Sequence, residues 1–256
     1  MLNHTLLATR SLIFYSGHYL LIVIFACTGV LLRPASLEQR LRFMRTGVNL
    51  SLFWLRVTCN IRHQVNNFEC IDPKTPSIII SRHESTWEAL AFHSIFPLQI
   101  NIVKQELRNV PFFGLILVTI NSILIDRSDG IKSLRKVKKE GSKAISNGLW
   151  VTIFPGGTRV APGQLSTIHS GGAILAKQEK VPVYLVTHNS GKAWPKGTFI
   201  KHPGVISVDI KPLKGIEHKD LKSINRETQE WFQRPQQIEK TVSVVSTHSN
   251  APRDSA

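Results

Sequence analysis

A histidine and a glutamate lie five positions apart in "SRHESTWE", directly after the apolar run "SIII". An imidazole can act as a general base near neutral pH, and a carboxylate on its other ring nitrogen fixes the tautomer and stabilises the protonated ring. On an ideal helix this spacing turns His83 and Glu88 about 140° apart, so they can meet only if His83 precedes the helix. The apolar run predicts a buried strand, which leaves His83 in the turn that follows it.

The same glutamate has an ordinary structural alternative. Ser85 and Glu88 have the S-x-x-E spacing of a capping box, in which the glutamate accepts a hydrogen bond from the backbone N–H of the cap residue. This alternative explains Glu88 but leaves His83 unexplained. Because one carboxylate can do part of both jobs, the sequence leaves both roles open.

Glycines and basic residues elsewhere could bind an anion. In "FPGGTR", Gly156 and Gly157 allow close backbone approach, and Arg159 offers a planar fork to a phosphate. Lys104 in "VKQELRNVPFFG" and Arg127 in "ILIDRSDG" are further cationic candidates. For each of these the usual alternative is a solvated charge or a plain surface turn. The glycine loop lacks the G-x-x-x-x-G-K-[ST] pattern, so a nucleoside triphosphate site is not predicted.

Strand and helix patterns alternate around these segments. The strand-like stretches are "PSIIIS", "LQINIV", "SILID", "LWVTIF", "VPVYLVTH" and the late or edge strand "GVISVDI". The helix-like stretches are "TWEALAFHSIF", "FFGLILVT", "KSLRKVKKEGSKAISNG" and "GGAILAKQEK". This alternation predicts an α/β domain with a layered mixed sheet flanked by helices.

The N-terminal segment indicates a membrane helix. Residues 11–32 carry no formal charge and match the roughly 20 residues that span the hydrocarbon core. A cleaved signal peptide is the alternative, but the stretch is long for one and no small-residue cleavage pattern closes it. Basic residues are concentrated after the segment, at Arg33, Arg40, Arg42 and Arg45, with Arg10 before it. The positive-inside rule therefore predicts that the following domain faces the cytoplasm.

A second apolar stretch extends from Gly47 to Cys59. It is too short to span a bilayer and carries Arg56. It could be a short interfacial helix, with Trp54 at the headgroup level and Arg56 reaching the phosphates, or a core helix of the following domain. The sequence leaves these two interpretations open.

Composition limits the classes of partner. The formal net charge of +15 and the pI near 10.1 fit nucleic acid, an anionic membrane surface or a phosphorylated substrate. No helix-turn-helix, zinc or RNP pattern is present, so nucleic acid is not expected. The three cysteines lack CxxC spacing, and the remaining histidines, including His188 in "THNSG", show no ligand spacing. No metal site is predicted, and His188 is interpreted as a structural residue that needs only a local partner.

Taken in order, these segments resemble the glycerolipid acyltransferase family, most closely the bacterial 1-acyl-sn-glycerol-3-phosphate acyltransferases. "HESTWE" resembles the first motif, H-x4-D/E, with His83 and Glu88 as its histidine and acid. "KQELRNVPFFG" resembles the second motif, "ILIDR" the arginine-bearing strand end, "FPGGTR" the third motif and "VPVYLVTHNSG" the fourth. The resemblance covers roughly Pro76 to Ile210, and the apolar N-terminal segment also suits the family.

The resemblance implies transfer of an acyl chain to the free hydroxyl of 1-acyl-sn-glycerol-3-phosphate (lysophosphatidic acid), giving phosphatidic acid in phospholipid synthesis. The donor would be a thioester of coenzyme A or acyl carrier protein, with no bound cofactor. His83 would take the hydroxyl proton while Glu88 orients the ring. The acceptor phosphate would be held by Arg159, Thr158, Gly157, Lys104 and Arg127. Membrane lipids would be the partners, and the expected location is the bacterial inner membrane.

One departure from the family pattern leaves alternatives open. Gly156 stands where the third motif has a glutamate. The chain could instead acylate another lysolipid, or be a catalytically weak, lipid-binding relative in which Gly156→Glu would recover activity. The expected domain organisation is a membrane anchor and interfacial helix at 1–60, an acyltransferase domain at 61–233 and a mobile polar tail at 234–256.

Overall fold

The computed structural model describes residues 3–164 and 166–234. The predicted tail therefore lies outside the described residues except for Arg234. The helices are α1 (His4–Leu31), α2 (Leu37–Cys59), α3 (Trp87–Ile95), α4 (Phe113–Thr119), α5 (Gly130–Ser146), α6 (Gly171–Glu179), α7 (Ser190–Ala193) and α8 (Leu221–Gln233). The strands are β1 (Ile61–Asn66), β2 (Ile78–Ser81), β3 (Gln99–Lys104), β4 (Ile123–Ile125), β5 (Trp150–Ile153), β6 (Val183–His188) and β7 (Gly204–Pro212).

The strands form one seven-stranded mixed sheet in the order β1-β7-β6-β2-β5-β3-β4. All neighbours are parallel except β6 and β7, which are antiparallel. The predicted α/β fold with a mixed sheet is confirmed. The five strands from β6 to β4 share one direction, so their carboxyl ends meet at a single edge. In open α/β sheets this edge is the usual place for a ligand site.

One part of the strand prediction needs correction. The segment of β7 was predicted as a late or edge strand; it is late, but it lies inside the sheet between β6 and β1. The edge strand next to β7 is β1, which has no strand-like pattern in the sequence, because only Ile61 among its residues is buried. A strand that buries so little apolar surface shows no alternation for sequence analysis to detect.

Apolar side chains cover both faces of the sheet. The two-residue period of a strand determines which face each side chain points to. In β2, Ile78 and Ile80 face a core shared with α5, α6 and α8, whereas Ile79 faces the opposite core. That second core contains Trp87 and Phe92 of α3 together with Phe14 of α1. Successive strand residues point to opposite faces, so strands buried on both sides appear as continuous apolar runs.

Helices α1 and α2 pack together as a hairpin with close approaches at glycines. A Cβ on Gly17 would lie 2.3 Å from Trp54 Nε1, and one on Gly47 would lie 2.8 Å from Phe25. Of the described helices, α1 is long and apolar enough to cross a membrane. Exposed apolar side chains on it, such as Leu12 and Leu20, are each 58% accessible. The predicted N-terminal apolar helix is thus present.

Helix α2 is longer than the predicted short helix, since it begins at Leu37 behind a Ser36 capping box. Leu55 and Cys59 are buried in the second core, while Phe53 on another face is 62% exposed. The helix therefore has a core face and an exposed apolar face. Trp54 donates its Nε1–H to the Ile13 carbonyl of α1, so its ring is held by the hairpin.

Candidate active site

The imidazole of His83 and the carboxylate of Glu88 meet in the turn between β2 and α3. His83 Nδ1 lies 2.7 Å from Glu88 Oε1. Helix α3 begins only at Trp87, so His83 precedes the helix, as the spacing argument requires. Glu88 is fully buried, whereas the His83 side chain is 18% exposed. Among the described residues, nothing bonds to His83 Nε2.

Glu88 also caps the helix. Its Oε1 accepts hydrogen bonds of 2.7 Å from the backbone N–H groups of Glu84 and Ser85. The Ser85 hydroxyl in turn accepts from the backbone N–H of Trp87. The two interpretations of Glu88 are therefore compatible, because one oxygen satisfies free helix amides and the imidazole together.

The second oxygen of Glu88 is bound from the end of β6. Ser190 Oγ lies 2.7 Å from Glu88 Oε2 and 3.0 Å from His188 Nδ1. His188 Nε2 lies 3.0 Å from the backbone carbonyl of Arg82. All three side chains that form this chain of bonds are fully buried: Glu88, His188 and Ser190.

The surroundings strongly favour the ionised form of Glu88. Burial by itself would raise the pKa of this carboxyl, but the neighbouring imidazoles of His188 and His83 and the backbone N–H of Ser85 outweigh burial and lower the pKa to about 2. At neutral pH Glu88 is therefore a hydrogen-bond acceptor. It holds the Nδ1–H tautomer of His83 and leaves the Nε2 lone pair available to take a proton.

The glycine loop after β5 packs directly against His83. The Phe154 ring stacks on the imidazole with centroids 4.3 Å apart. The backbone N–H of Val160 donates to the His83 carbonyl at 2.9 Å. Arg159 Nη1 donates to the Thr86 hydroxyl at 2.8 Å. This bond places the Arg159 guanidinium beside the amino end of α3. The first and third motifs thus form one unit.

The remaining predicted phosphate ligands lie at different positions around this unit. Gly157 has φ +67° and lies beside Arg127, whose guanidinium is 3.8 Å from the position of a Cβ on Gly157. The Thr158 hydroxyl is 3.5 Å from Lys196 Nζ. Lys104 is bound at 2.8 Å to Glu106, and among the described residues it has no hydrogen bond with His83 or Glu88. The structure therefore places Gly157 beside Arg127, and Arg159 beside the amino end of α3.

Gly156 is tightly enclosed. A Cβ at this position would lie 2.0 Å from Ser166 Oγ and 2.8 Å from Ser166 Cβ. The Ser166 side chain therefore occupies the space into which a longer side chain at position 156 would extend. The expectation that Gly156→Glu restores a missing group has to include this contact.

A cavity and possible metal ligands were the other candidate features of the described residues. A cavity of about 540 Å³ is lined by Gln105, Glu106, Arg108, Asn109, Leu124 and Lys136, none of which belongs to the histidine–glutamate pair or the glycine loop. In the part of the chain that the structure describes, no three His, Cys, Asp or Glu side chains are grouped to hold a metal ion.

Sequence reasoning missed the supporting residues of the acid. Ser190 was not singled out, and His188 was interpreted as a residue with only local partners. One partner, Ser190, is local and also binds Glu88, whereas the other, the Arg82 carbonyl, is 106 residues away in the chain. The available signal was "THNSG" at the end of a predicted strand, because polar side chains that follow parallel strands gather at one sheet edge.

Comparisons with known proteins agree with this geometry. The acyltransferase family model matches residues 57–212. The chain is 37% identical over 198 residues to the 1-acyl-sn-glycerol-3-phosphate acyltransferase of Pseudomonas aeruginosa, covering 76% of this chain and 77% of that one. A Saccharomyces cerevisiae protein of the same name is 30% identical over 148 residues, 55% of this chain and 48% of its own length.

A solved structure shares the fold. The 1-acyl-sn-glycerophosphate (LPA) acyltransferase PlsC of Thermotoga maritima superposes with a TM-score of 0.73 at 19% identity, covering 88% of this chain and 92% of that chain. At this identity the likeness concerns the fold.

Proposed function

The chain belongs to the acyltransferase family, and from that membership we propose that it acylates the free hydroxyl of 1-acyl-sn-glycerol-3-phosphate to give phosphatidic acid. The observation that carries this proposal is the buried His83–Glu88 pair, whose unbonded Nε2 lies beside a glycine loop that bears Arg159. The donor is an acyl thioester of coenzyme A or acyl carrier protein.

The reaction requires one proton transfer to the base. His83 Nε2 takes the proton of the acceptor hydroxyl as that oxygen attacks the thioester carbonyl. The tetrahedral intermediate collapses, the carbon–sulfur bond breaks, and the leaving thiolate takes up the proton from the His83 imidazolium. Glu88 stabilises the imidazolium that forms in between. The acyl group passes directly to the acceptor, so no acyl-enzyme is needed.

The acceptor phosphate is the ligand proposed for the basic groups around the loop. Arg159 and Arg127 flank the backbone amides near Gly157, an arrangement that suits a dianionic phosphate. Burial lowers the pKa of the Arg127 guanidinium, although Glu106 opposes this shift, and the group stays cationic at neutral pH. Thr158 and Lys104 complete the proposed set.

A membrane position explains the apolar hairpin. Lysophosphatidic acid and phosphatidic acid are amphiphiles that stay in the bilayer, so the site has to lie at its surface. The length and composition of α1 support insertion into a membrane, and the arginines that follow it support a cytoplasmic site. The proposed location is the bacterial inner membrane.

The test is acyl transfer from acyl-coenzyme A or acyl carrier protein to 1-acyl-sn-glycerol-3-phosphate by membranes that contain the protein. We expect His83→Ala to lower the rate at least about 100-fold, the usual contribution of a general base. His218→Ala is the control, because that side chain is 87% exposed. Turnover with another lysolipid only would replace the proposed acceptor, and unchanged turnover in His83→Ala would refute the role of the base.

A further inference from the structure

A chain of hydrogen bonds leads from the backbone of β2 to the acid of the active site. It runs from the Arg82 carbonyl to His188 Nε2, from His188 Nδ1 to Ser190 Oγ, and from Ser190 Oγ to Glu88 Oε2. Its ends are close in sequence, but His188 and Ser190 come from the end of β6, the neighbour of β2 in the sheet. The Ser190 and Glu88 partners are 102 residues apart in the chain.

The number of available hydrogen atoms determines which groups donate and which accept in this chain of hydrogen bonds. The Arg82 carbonyl only accepts, so His188 Nε2 has to donate. Ser190 has one hydroxyl hydrogen, and ionised Glu88 only accepts, so that hydrogen goes to Glu88 Oε2. His188 Nδ1 then has to donate to Ser190 Oγ. All three bonds form together only when both nitrogens of His188 carry a proton, which makes the ring an imidazolium.

The charges around the ring agree with this state. Arg82 Nε lies 2.9 Å from Glu84 Oε1, and both side chains are buried. Burial raises the pKa of Glu84, yet its two oxygens face Arg82 and the Gly191 backbone N–H, so it acts as an acceptor. The pocket therefore holds the carboxyl groups of Glu84 and Glu88 and one arginine. A positive charge on the His188 ring is balanced by these buried acids.

We propose that protonated His188, acting through the Ser190 hydroxyl, positions Glu88 and holds it ionised as the partner of His83. His188 and Ser190 are positioning residues, because neither is adjacent to Nε2 of the base. Their bond to Oε2 fixes the plane of the carboxylate, so that Oε1 remains directed at His83 Nδ1. The reaction they serve is the proposed acyl transfer, and the inference rests on that function.

The groups that can affect this arrangement are few. Arg82 and Glu84 lie on the turn after β2, and His83 and Glu88 form the catalytic pair. The remaining neighbour is the apolar Phe92, whose ring lies edge-on to His188 at 6.1 Å. A change in the charge of His188 should therefore act mainly on the proton affinity of the His83–Glu88 pair.

Two substitutions separate orientation from charge. Ser190→Ala removes the bridge and keeps the imidazole, so we expect a kcat about tenfold lower with nearly unchanged KM, as for loss of one hydrogen bond to a charged group. His188→Gln can keep a bond to the Arg82 carbonyl but removes the positive charge. The acid limb of its pH–rate profile should move up by about one pH unit, because the pair then holds a proton more readily.

A second buried serine–histidine pair provides the matched control. His18 Nδ1 lies 2.6 Å from Ser51 Oγ in the α1–α2 hairpin, and Ser51 is 5% exposed. Ser51→Ala and His18→Gln make the same chemical changes and should leave the pH–rate profile in place. If His188→Gln folds and its profile matches the wild type, the proposal is wrong.

A spectroscopic measurement tests the proton arrangement without relying on activity. Nitrogen-15 NMR of histidine-labelled protein in detergent should show one imidazole with both nitrogens protonated at pH 7, and its change in Ser190→Ala assigns it to His188. If every buried imidazole carries a single proton at pH 7, the proposal fails. Because the assigned signal reports on the His188 ring and not on turnover, absence of acyl transfer with an intact imidazolium signal would refute the proposed function and not the proton arrangement.

Discussion

Gly156 stands where the third motif has a glutamate, and its contact with Ser166 determines whether a glutamate would fit at this position. The Ser166 hydroxyl occupies the space beside the Gly156 Cα, 2.0 Å from where a Cβ would stand. A glutamate at this position therefore has to displace a neighbour before it can contribute anything. Such overpacking typically costs about 1–3 kcal/mol.

We predict that Gly156→Glu alone lowers both the thermal unfolding midpoint and the acyl-transfer rate, whereas Gly156→Glu with Ser166→Gly recovers most of the stability. The measurement is thermal unfolding in detergent together with the transfer assay. Gly163→Ala is not a suitable control, since Gly163 has φ +82°. Gly171→Ala is suitable, because nothing lies within 4 Å of its Cβ position. Higher activity in the single Gly156→Glu variant would contradict this prediction.

The ionised state of Glu88 links folding stability to pH. Its pKa of about 2 in the folded protein lies below the ordinary 4.5, so its contribution is complete above about pH 4.5 and is lost as pH falls toward 2. We predict that the stability advantage of wild type over Glu88→Gln, on the order of 3 kcal/mol at pH 6, shrinks across this window. Denaturant unfolding at pH 6, 4 and 3 measures it, and an advantage that grows on acidification would refute it.

Sequence reasoning could reach the His83–Glu88 pair and not the residues that support it. His83 and Glu88 are close in the chain, and the geometry of a helix start is enough to bring them together. Ser190 reaches Glu88 only because β6 lies next to β2 in the sheet. No local pattern encodes that neighbour relation, so the role of Ser190 required the structure.

At the scale of elements, the α1–α2 hairpin depends on glycine. Gly17 allows the Trp54 ring to lie against α1, where its Nε1 donates to the Ile13 carbonyl. Small residues at such crossings let helix backbones approach closely. The two helices therefore pack as a pair.

We predict that Gly17→Ala weakens the hairpin by about 1–3 kcal/mol, because the added methyl displaces Trp54. Trp54 fluorescence and thermal unfolding in detergent report the change. Gly130→Ala at the start of α5 is the matched control, since its Cβ would meet nothing within 4 Å. Equal unfolding midpoints for both variants would show that the close approach is unimportant.

The element boundaries show what periodicity can and cannot predict. Strongly apolar strands such as β2 and β5, and the amphipathic α5, follow the predicted segments closely. Helix α2 begins at Leu37, well before the predicted start at Gly47. Its first turns are polar on one side, so the sequence predicts no element for them. Tertiary contacts and the Ser36 cap define that start, and neither is visible as an apolar run.

At the scale of the molecule, helix α1 and the sheet share one core. Phe14 of α1 is fully buried and packs edge-on against Trp194 with centroids 5.2 Å apart. The Ser11 hydroxyl accepts from the Lys201 backbone N–H. The proposed boundary at residue 60 therefore divides the chain by role in the membrane and not by packing. Apolar residues that face lipid and those that face protein look alike in a sequence, so this docking could not be predicted.

We predict that Phe14→Ala lowers the stability of the whole protein by about 3–5 kcal/mol, as for other buried phenylalanines. Leu12→Ala on the exposed face of the same helix should have little effect, since Leu12 is 58% exposed. Thermal unfolding of both variants in the same detergent, monitored through the acyl-transfer activity that survives heating, compares them. Equal loss in both would mean that α1 does not belong to the common core.

The position of β1 has a consequence for biosynthesis. Asn66 at the end of β1 bonds to Asp209 of β7, 143 residues later, and within the described residues β1 has no other strand beside it. At about 5–20 residues per second, the ribosome takes roughly 7–30 s to supply that partner. During this interval α1 and α2 have already emerged. The proposed membrane segment can therefore insert before the sheet is complete.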